Sequence, residues 1–283
     1  MQIYRGMDIG TAKPSAAERQ RLVHHLIDVK EPSQTYDVAE FVQLAEQLIR
    51  RIVARGRLPV VCGGTAFYIR TLLCGLPAAP PASPQIRSTV QRRLQIEGVA
   101  ALYQELQRVD PDSAQRIAAA DAYRITRALE IYYETGTPRS RFERPATLRG
   151  DFQPFIVGLD RPRDELYRRI NERVERMFGA GLVDEVCRLV AAGYGRDAPG
   201  MRAIGYREFF EHPRVQAAGL MAAHESATAA EIRDAVARDS RRYAKRQLTF
   251  FRRMPGVTWL SPERYGEIES QVRELAEQVG EPV

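Results

Sequence analysis

The sequence predicts an α/β protein: an open parallel-sheet core interrupted by an α-helical insertion. Three observations carry this expectation. Between residues 37 and 74 a helical pattern, a short apolar run, a Gly-Gly turn and a second helical pattern follow in order, which is the signature of an open α/β sheet. The proline-rich stretch LPAAPPASP (76–84) then breaks the pattern, and residues 85–135 carry helical periodicity with no strand signal. Phe155 to Leu159 return to a strand pattern. The expected division is 1–83 as the first part of the core, 84–150 as the insertion, and 151–283 as the second part of the core with basic C-terminal helices.

DVAEFVQLAEQLIRRIVAR (37–55) places Val38, Phe41, Val42, Ala45, Leu48, Ile49 and Ile52 at helical spacing and stops at Gly56. Leu58 to Cys62 are continuously apolar without alternation, which suits a parallel strand buried on both faces. Gly63 and Gly64 turn the chain, and AFYIRTLL reads as a helix. After the helical run 85–135 comes a polar, basic stretch, TPRSRFERPATLRGD, and then the strand at 155–159. RDELYRRINERVERMFGAG is an amphipathic helix with Leu166, Ile170, Val174 and Met177 on one face, and GLVDEVCRLVAAG follows it. Residues 229–253 form a long basic helix, and Val257 to Leu260 read as a last strand.

Bulk properties narrow the class. Of 283 residues, 44% are hydrophobic and 28% charged, as in ordinary globular proteins. No apolar run approaches the ~20 residues of a membrane-spanning helix. The chain does not open on a basic segment followed by an apolar one, as a secretory signal does. Cys62, Cys74 and Cys187 are far apart and form no CxxC pair, which argues against a disulfide framework or a zinc site and suits a reducing cytoplasm. No apolar surface seam is legible, so a monomer is expected. A net charge of +6 favours polyanionic partners, with weight that depends on where the arginines fall.

Two features could carry chemistry. In an open parallel sheet, ligands sit at the carboxyl ends of the strands. There Gly63 and Gly64 would let the backbone approach a ligand, the next helix would offer free N–H groups to an anion, and Thr65 would add a hydroxyl. A plain strand-to-helix turn capped by Thr65 fits the same residues equally well. The arginines form four clusters. They are Arg124 and Arg127; Arg168, Arg169, Arg173 and Arg176; Arg202 and Arg207; and Arg241, Arg242, Lys245, Arg246, Arg252 and Arg253. Any one of them is more simply a solvated surface residue. Four clusters interleaved with Tyr206, Tyr243, Phe250 and Phe251 favour RNA. His24 and His25 have no cysteine or carboxylate placed to complete a metal site, and a structural role is the better reading.

Seven blocks then stand in a telling order: YRGMDIGTAKP, HHLIDVKEPSQTYDVAEF, LPVVCGGTAFYI, DAYRITRALEIY, RINERVERMFGAGLVDEV, MRAIGYREF and RYAKRQLTFFR. Together they resemble the tRNA dimethylallyltransferase (tRNA isopentenyltransferase) family over nearly the whole chain. The resemblance implies a P-loop-type core with a helical insertion that grips the anticodon stem-loop. It also implies transfer of the dimethylallyl group of dimethylallyl diphosphate, with Mg²⁺, to N6 of the adenosine next to the anticodon, position 37. By the same resemblance Gln2 contacts the target adenosine and its neighbours, Thr65 sits at the reaction centre near the adenine amine, and Arg173 meets the diphosphate beside Gly63 and Gly64. Arg87 and the segment Tyr123, Arg124 to Arg127 contact tRNA, with Tyr123 standing where the family commonly has Gln. Arg202, Gly205, Tyr206 and Arg207 form a further tRNA-contacting loop.

In the family the run like QIYRGMDIGTAKP follows a first strand, a GPTASGKS-type P-loop, a helix and a second strand ending in Asp-Ser. No GxxxxGK[ST] occurs in this chain. The resemblance therefore leads us to expect a translation start upstream of Met1, and a chain that as written is inactive and folds poorly. Two other readings differ in class. A catalytically inactive tRNA-binding remnant would bind RNA with strong salt dependence and no turnover. An isopentenyltransferase for free adenine nucleotides would have little use for residues 84–150.

Overall fold

The computed structural model describes residues 1–142, 145–151 and 153–280. Glu143 and Arg144, in the basic stretch that ends the insertion, lie outside them, as do Phe152 and the last three residues. The architecture is mixed α/β with many helices and a small parallel sheet. The helices before the sheet are α1 (Ala16–Arg21), α2 (Val38–Val53), α3 (Ala66–Cys74), α4 (Pro84–Val109), α5 (Pro111–Ala114) and α6 (Ala122–Thr135). Strand β1 (Ile156–Leu159) leads into α7 (Arg163–Gly179), α8 (Leu182–Ala191), α9 (Arg207–Glu211), α10 (Pro213–Ala218) and α11 (Ser226–Phe251). Strand β2 (Val257–Leu260) and α12 (Tyr265–Gly280) complete the order.

The chain divides into two compact units, residues 71–152 and the remainder. The smaller unit is helical. Ser83 caps α4 by accepting from the backbone N–H of Ile86, and Pro84 occupies its first turn, where a missing N–H costs nothing. Gly98, at φ +80, kinks α4 into two segments. Leu102 and Leu106 from the second segment pack with Ile125 and Leu129 of α6 in a core of their own.

In the larger unit β1 and β2 pair in parallel with Ile156 opposite Val257 and Leu159 opposite Leu260. Gly158 lies under the indole of Trp259, where an added Cβ would stand 2.6 Å from the ring. Helix α7 packs on α11, and the main core gathers Met7, Val174, Leu182, Val186, Met201, Phe209 and Ile232. Phe178 and Phe209 stack with centroids 6.1 Å apart.

One expected element is corrected. Residues 57–65 belong to no described strand, and Val60 and Val61 are 74% and 47% exposed. A buried parallel strand needs hydrogen-bonded neighbours on both edges. Here the two described strands pair only with each other. The apolar run is therefore exposed where its composition led us to expect burial.

Candidate functional site

The N-terminal segment is built around one carboxylate. Glu185, on α8, is 1% exposed. Its Oε2 accepts the backbone N–H groups of Asp8 (3.0 Å) and Ile9 (2.8 Å), and its Oε1 accepts that of Gly10 (3.1 Å) and the Tyr206 hydroxyl (2.7 Å). A single buried anion thus fixes the DIG turn and the IGY turn against each other. The contact is tight: a Cβ on Gly10 would meet the Tyr206 ring at 2.6 Å. Gly205 adopts φ +97, where an added Cβ would stand 3.4 Å from Gly10 O and a side chain would be strained. Burial, with the adjacent Glu185 charge second, pushes the Tyr206 hydroxyl far above its ordinary pKa, so it is a permanent donor.

The same segment is tied a second time. Lys13 is 2% exposed at its side chain, and its Nζ donates to Tyr4 O (2.8 Å), Asp8 Oδ1 (2.6 Å) and Asp28 Oδ1 (2.5 Å). All three ammonium donors are used, which offsets the cost of burying the charge. Gln2 belongs to this assembly. Its Nε2 donates to Thr11 O (3.2 Å) and Ala12 O (2.9 Å).

The Gly-Gly turn is held from the other side of the sequence. Gly64 O accepts from Gln247 Nε2 (2.6 Å) and Tyr243 Oη (3.3 Å), both on α11. A Cβ at Gly64 would stand 2.0 Å from Gln247 Nε2, whereas one at Gly63 would meet nothing. Thr65 O accepts from Tyr68 N and Ile69 N and so starts α3 through its backbone. The Thr65 side chain is exposed, and its hydroxyl has no protein partner among the described residues. The cap reading of that hydroxyl is therefore not what the structure contains.

Arg173 lies on α7 with no ion-pair partner among the described residues. The residue is exposed as a whole. Protein packed around its guanidinium, and then the neighbouring Arg176, press its pKa below the usual arginine value. Both causes favour an incoming anion, which would relieve them. Arg202 is exposed without a partner, but Arg207 is engaged by Glu208 Oε1 (3.2 Å) and Asp239 Oδ2 (3.1 Å). Burial alone would raise Asp239. Hydrogen bonds from Arg238 and Arg207 outweigh it and hold the carboxyl below its ordinary 3.8. Burial pushes Glu208 the other way, above the usual carboxylate value, although it accepts from Gly205 N (2.8 Å).

In the helical unit Arg87 is exposed near the start of α4, and Tyr123 is 79% exposed at the start of α6. Arg124 pairs with Asp121 at 2.6 Å, and Arg127 with Glu130 and with Pro80 O. Tyr206 must be corrected as an RNA-contacting side chain. It is fully buried, because a large ring beside Gly10 and Glu185 is what closes the turn. Much of the arginine signal is also spent internally. Arg168 pairs with Glu172, Arg169 with Glu165, and Arg242 with Asp239. Exposed pairs of this kind contribute about 0–1 kcal/mol each. Glu185, Lys13 and Gln247 were not legible as site residues, since a lone charged or amide residue in a helix or loop announces nothing about its partners. Among the described residues no group of three or more His, Cys, Asp or Glu gathers to hold a metal. Among them, too, no helix is long and apolar enough to cross a membrane.

A family model described as IPP transferase matches residues 2–254. The chain is 42% identical over 272 residues to a tRNA dimethylallyltransferase of Geobacter sulfurreducens, covering 95% of this chain and 84% of that protein. It is 41% identical over 275 residues to one of Desulforudis audaxviator, covering 97% and 86%. The crystal structure of the full-length tRNA isopentenylpyrophosphate transferase from Bacillus halodurans superposes with a TM-score of 0.65 at 37% identity, over 98% of this chain and 86% of that one. A eukaryotic dimethylallyltransferase acting on tRNA matches with a TM-score of 0.71 over 92% of this chain and 65% of that one. At 24% identity that likeness speaks for the fold.

Proposed function

The chain belongs to the IPP transferase family, and from that premise we propose that it transfers a dimethylallyl group from dimethylallyl diphosphate to N6 of adenosine 37 in tRNA. The observation that carries this reading most directly is that two groups stay unspent among the described residues. Thr65 offers a free hydroxyl at a Gly-Gly turn braced by α11, and Arg173 offers an unpaired guanidinium on α7, which packs against α11.

In this reading the allylic C–O bond of the donor breaks as the N6–C bond forms. The amine proton leaves to a base, and the diphosphate departs with its electron pair. Thr65 Oγ1 accepts from the adenine amine and aligns its lone pair with the allylic carbon, where alignment can supply a large share of the rate. Arg173 binds the departing diphosphate as its charge grows. Gly63 leaves the backbone open for that approach. Gln2, locked to Thr11 O and Ala12 O, keeps its amide oxygen for a base of the RNA. Arg87, Tyr123, Arg124, Arg127 and Arg202 hold the anticodon stem-loop, with Tyr123 as a stacking surface. A P-loop-type core, Mg²⁺ travelling with the diphosphate, a cytoplasmic location and a monomeric state complete the proposal.

The test is transfer of radiolabelled dimethylallyl from its diphosphate to an anticodon stem-loop RNA carrying A37. Label should enter the RNA, and Thr65→Ala should lower kcat about 100-fold or more while RNA affinity changes little. RNA bound with full affinity but never labelled would overturn the reading and restore the inactive-remnant alternative. Label entering free AMP in preference to the stem-loop would overturn the choice of acceptor.

A further inference from the structure

Helix α4 carries a closed polar ring across its kink. Gly98, at φ +80 and ψ 168, interrupts the helix, so no continuous hydrogen-bond ladder sets the angle between residues 84–97 and 99–109. Val90 of the first segment is buried in the apolar core of the helical unit, but apolar contact is non-directional. The directional contacts come from Arg93. Its Nε (2.7 Å) and Nη2 (2.8 Å) donate to Glu97, the last residue before the kink. Nη2 also meets Glu105 Oε2 beyond the kink at 2.8 Å, and Nη1 donates to the Tyr133 hydroxyl on α6. That hydroxyl donates in turn to Glu105 Oε1. One planar guanidinium thus ties both segments of α4 to each other and to α6. Burial, and then the hydrogen-bonded Glu105 carboxylate, push the Tyr133 pKa up to about 12, so the hydroxyl stays a donor.

The ring also decides which charges α4 presents. Glu97 and Glu105 are the only acidic residues of this helix, and Arg93 holds both. Arg87 and Arg92, on the first segment, are exposed and have no ion-pair partner among the described residues. Free guanidinium groups of this kind suit phosphate. A change in the kink angle would move these two cations relative to the rest of the unit. We propose that the Arg93–Glu105–Tyr133 ring holds the first segment of α4 at the angle that presents Arg87 and Arg92 to the phosphate backbone of the stem-loop. Arg93, Glu105 and Tyr133 are then positioning residues that touch no RNA. The proposal rests on the tRNA reading above and adds Arg92 to its RNA contacts.

Stem-loop binding by the full chain, followed by fluorescence anisotropy over a salt series, tests it together with label transfer and melting. Arg87→Gln with Arg92→Gln should weaken binding and lower the salt slope by about two phosphate contacts. Tyr133→Phe keeps the aromatic ring and the net charge, and Arg93→Lys keeps the charge without the fork. Each should weaken binding about threefold to tenfold, lower the salt slope, and raise KM for RNA with kcat at saturating RNA unchanged. Glu105→Gln removes a negative charge, which by Coulomb attraction alone would tighten RNA binding. It should weaken binding instead. In the Arg87→Gln, Arg92→Gln background, Tyr133→Phe should have little further effect. Tighter binding by Glu105→Gln overturns the proposal, as does a Tyr133→Phe loss that is undiminished in that background. So does a loss of binding that merely follows the unfolded fraction in the melting curve, since the ring would then only stabilise the unit. A parent that binds while Tyr133→Phe and Arg93→Lys match it sinks this proposal alone. A parent that binds no stem-loop sinks the tRNA reading and this proposal with it.

Discussion

Glu185 ends in a carboxylate that four donors share, three of them backbone N–H groups of residues 8–10. An alanine there would leave these donors with neither protein nor full solvent. Each such group costs about 1–3 kcal/mol. Glu185→Ala should therefore lower stability by about 3 kcal/mol or more in chemical denaturation, and should expose the Met1–Pro14 segment to protease. A loss near zero would show that water replaces the carboxylate at no cost. Asp239 makes a pH-dependent contribution whose sign can be worked out. Its folded pKa lies below the ordinary 3.8, so its stabilisation is complete above that value and is lost as pH falls through the lower, folded value. At neutral pH Asp239→Asn should cost about 1.5–3 kcal/mol, the worth of hydrogen bonds to a charged group. The difference in Tm between parent and variant should stay constant down to about pH 4 and shrink below it. A difference that widens in acid would contradict this assignment.

At the scale of elements, periodicity in the sequence located the helices well. Residues 37–55, 163–179 and 229–253 carried their apolar faces at helical spacing, and α2, α7 and α11 formed there. A helix satisfies its own backbone, so the pattern that selects it is local. Strands behaved differently. Residues 155–159 and 257–260 found each other, but 58–62 found no described partner, although its composition is just as apolar. A strand exists only through its neighbour, and no local signal reports whether one is present. Gly158 shows the same dependence. It reads as an ordinary strand glycine, yet the Trp259 ring occupies the space of its missing side chain. Gly158→Ala should cost about 1–3 kcal/mol through overpacking. Circular dichroism and melting would register it, together with a shift in the fluorescence of this sole tryptophan.

For the whole molecule, two cores matter more than any single contact. The helical unit closes its own core around Leu102, Leu106, Ile125 and Leu129, and the larger unit closes another around Met7, Leu182, Met201 and Phe209. Leu102→Ala should cost about 2–5 kcal/mol, the range for a buried leucine. Its effect should be confined: hydrogen exchange should quicken across α4 to α6 and stay unchanged in α7 and α11. Faster exchange throughout would mean that the two units unfold as one. The proline-rich stretch at 76–84 marked the break in pattern. The compact unit itself begins at Thr71, because α3 runs across the point where contacts change over.

By itself the sequence determined the class of elements, the helical interruption, and the ordered blocks that place the chain in its family. These are properties of composition, period and order, which survive without knowledge of any contact. The side chains of Thr65 and Arg173 have no protein partner among the described residues. Only the tertiary structure decided which polar groups are consumed and which are free. Tyr206 became a buried donor to Glu185, Arg207 an ion-pair partner of Asp239, and Gly64 an acceptor for Gln247 at a separation of 183 residues. The reason is physical. The cost of burying a charge or an amide is met by whatever partner the fold brings within about 3 Å, and partners so distant in the chain leave no trace in its local pattern.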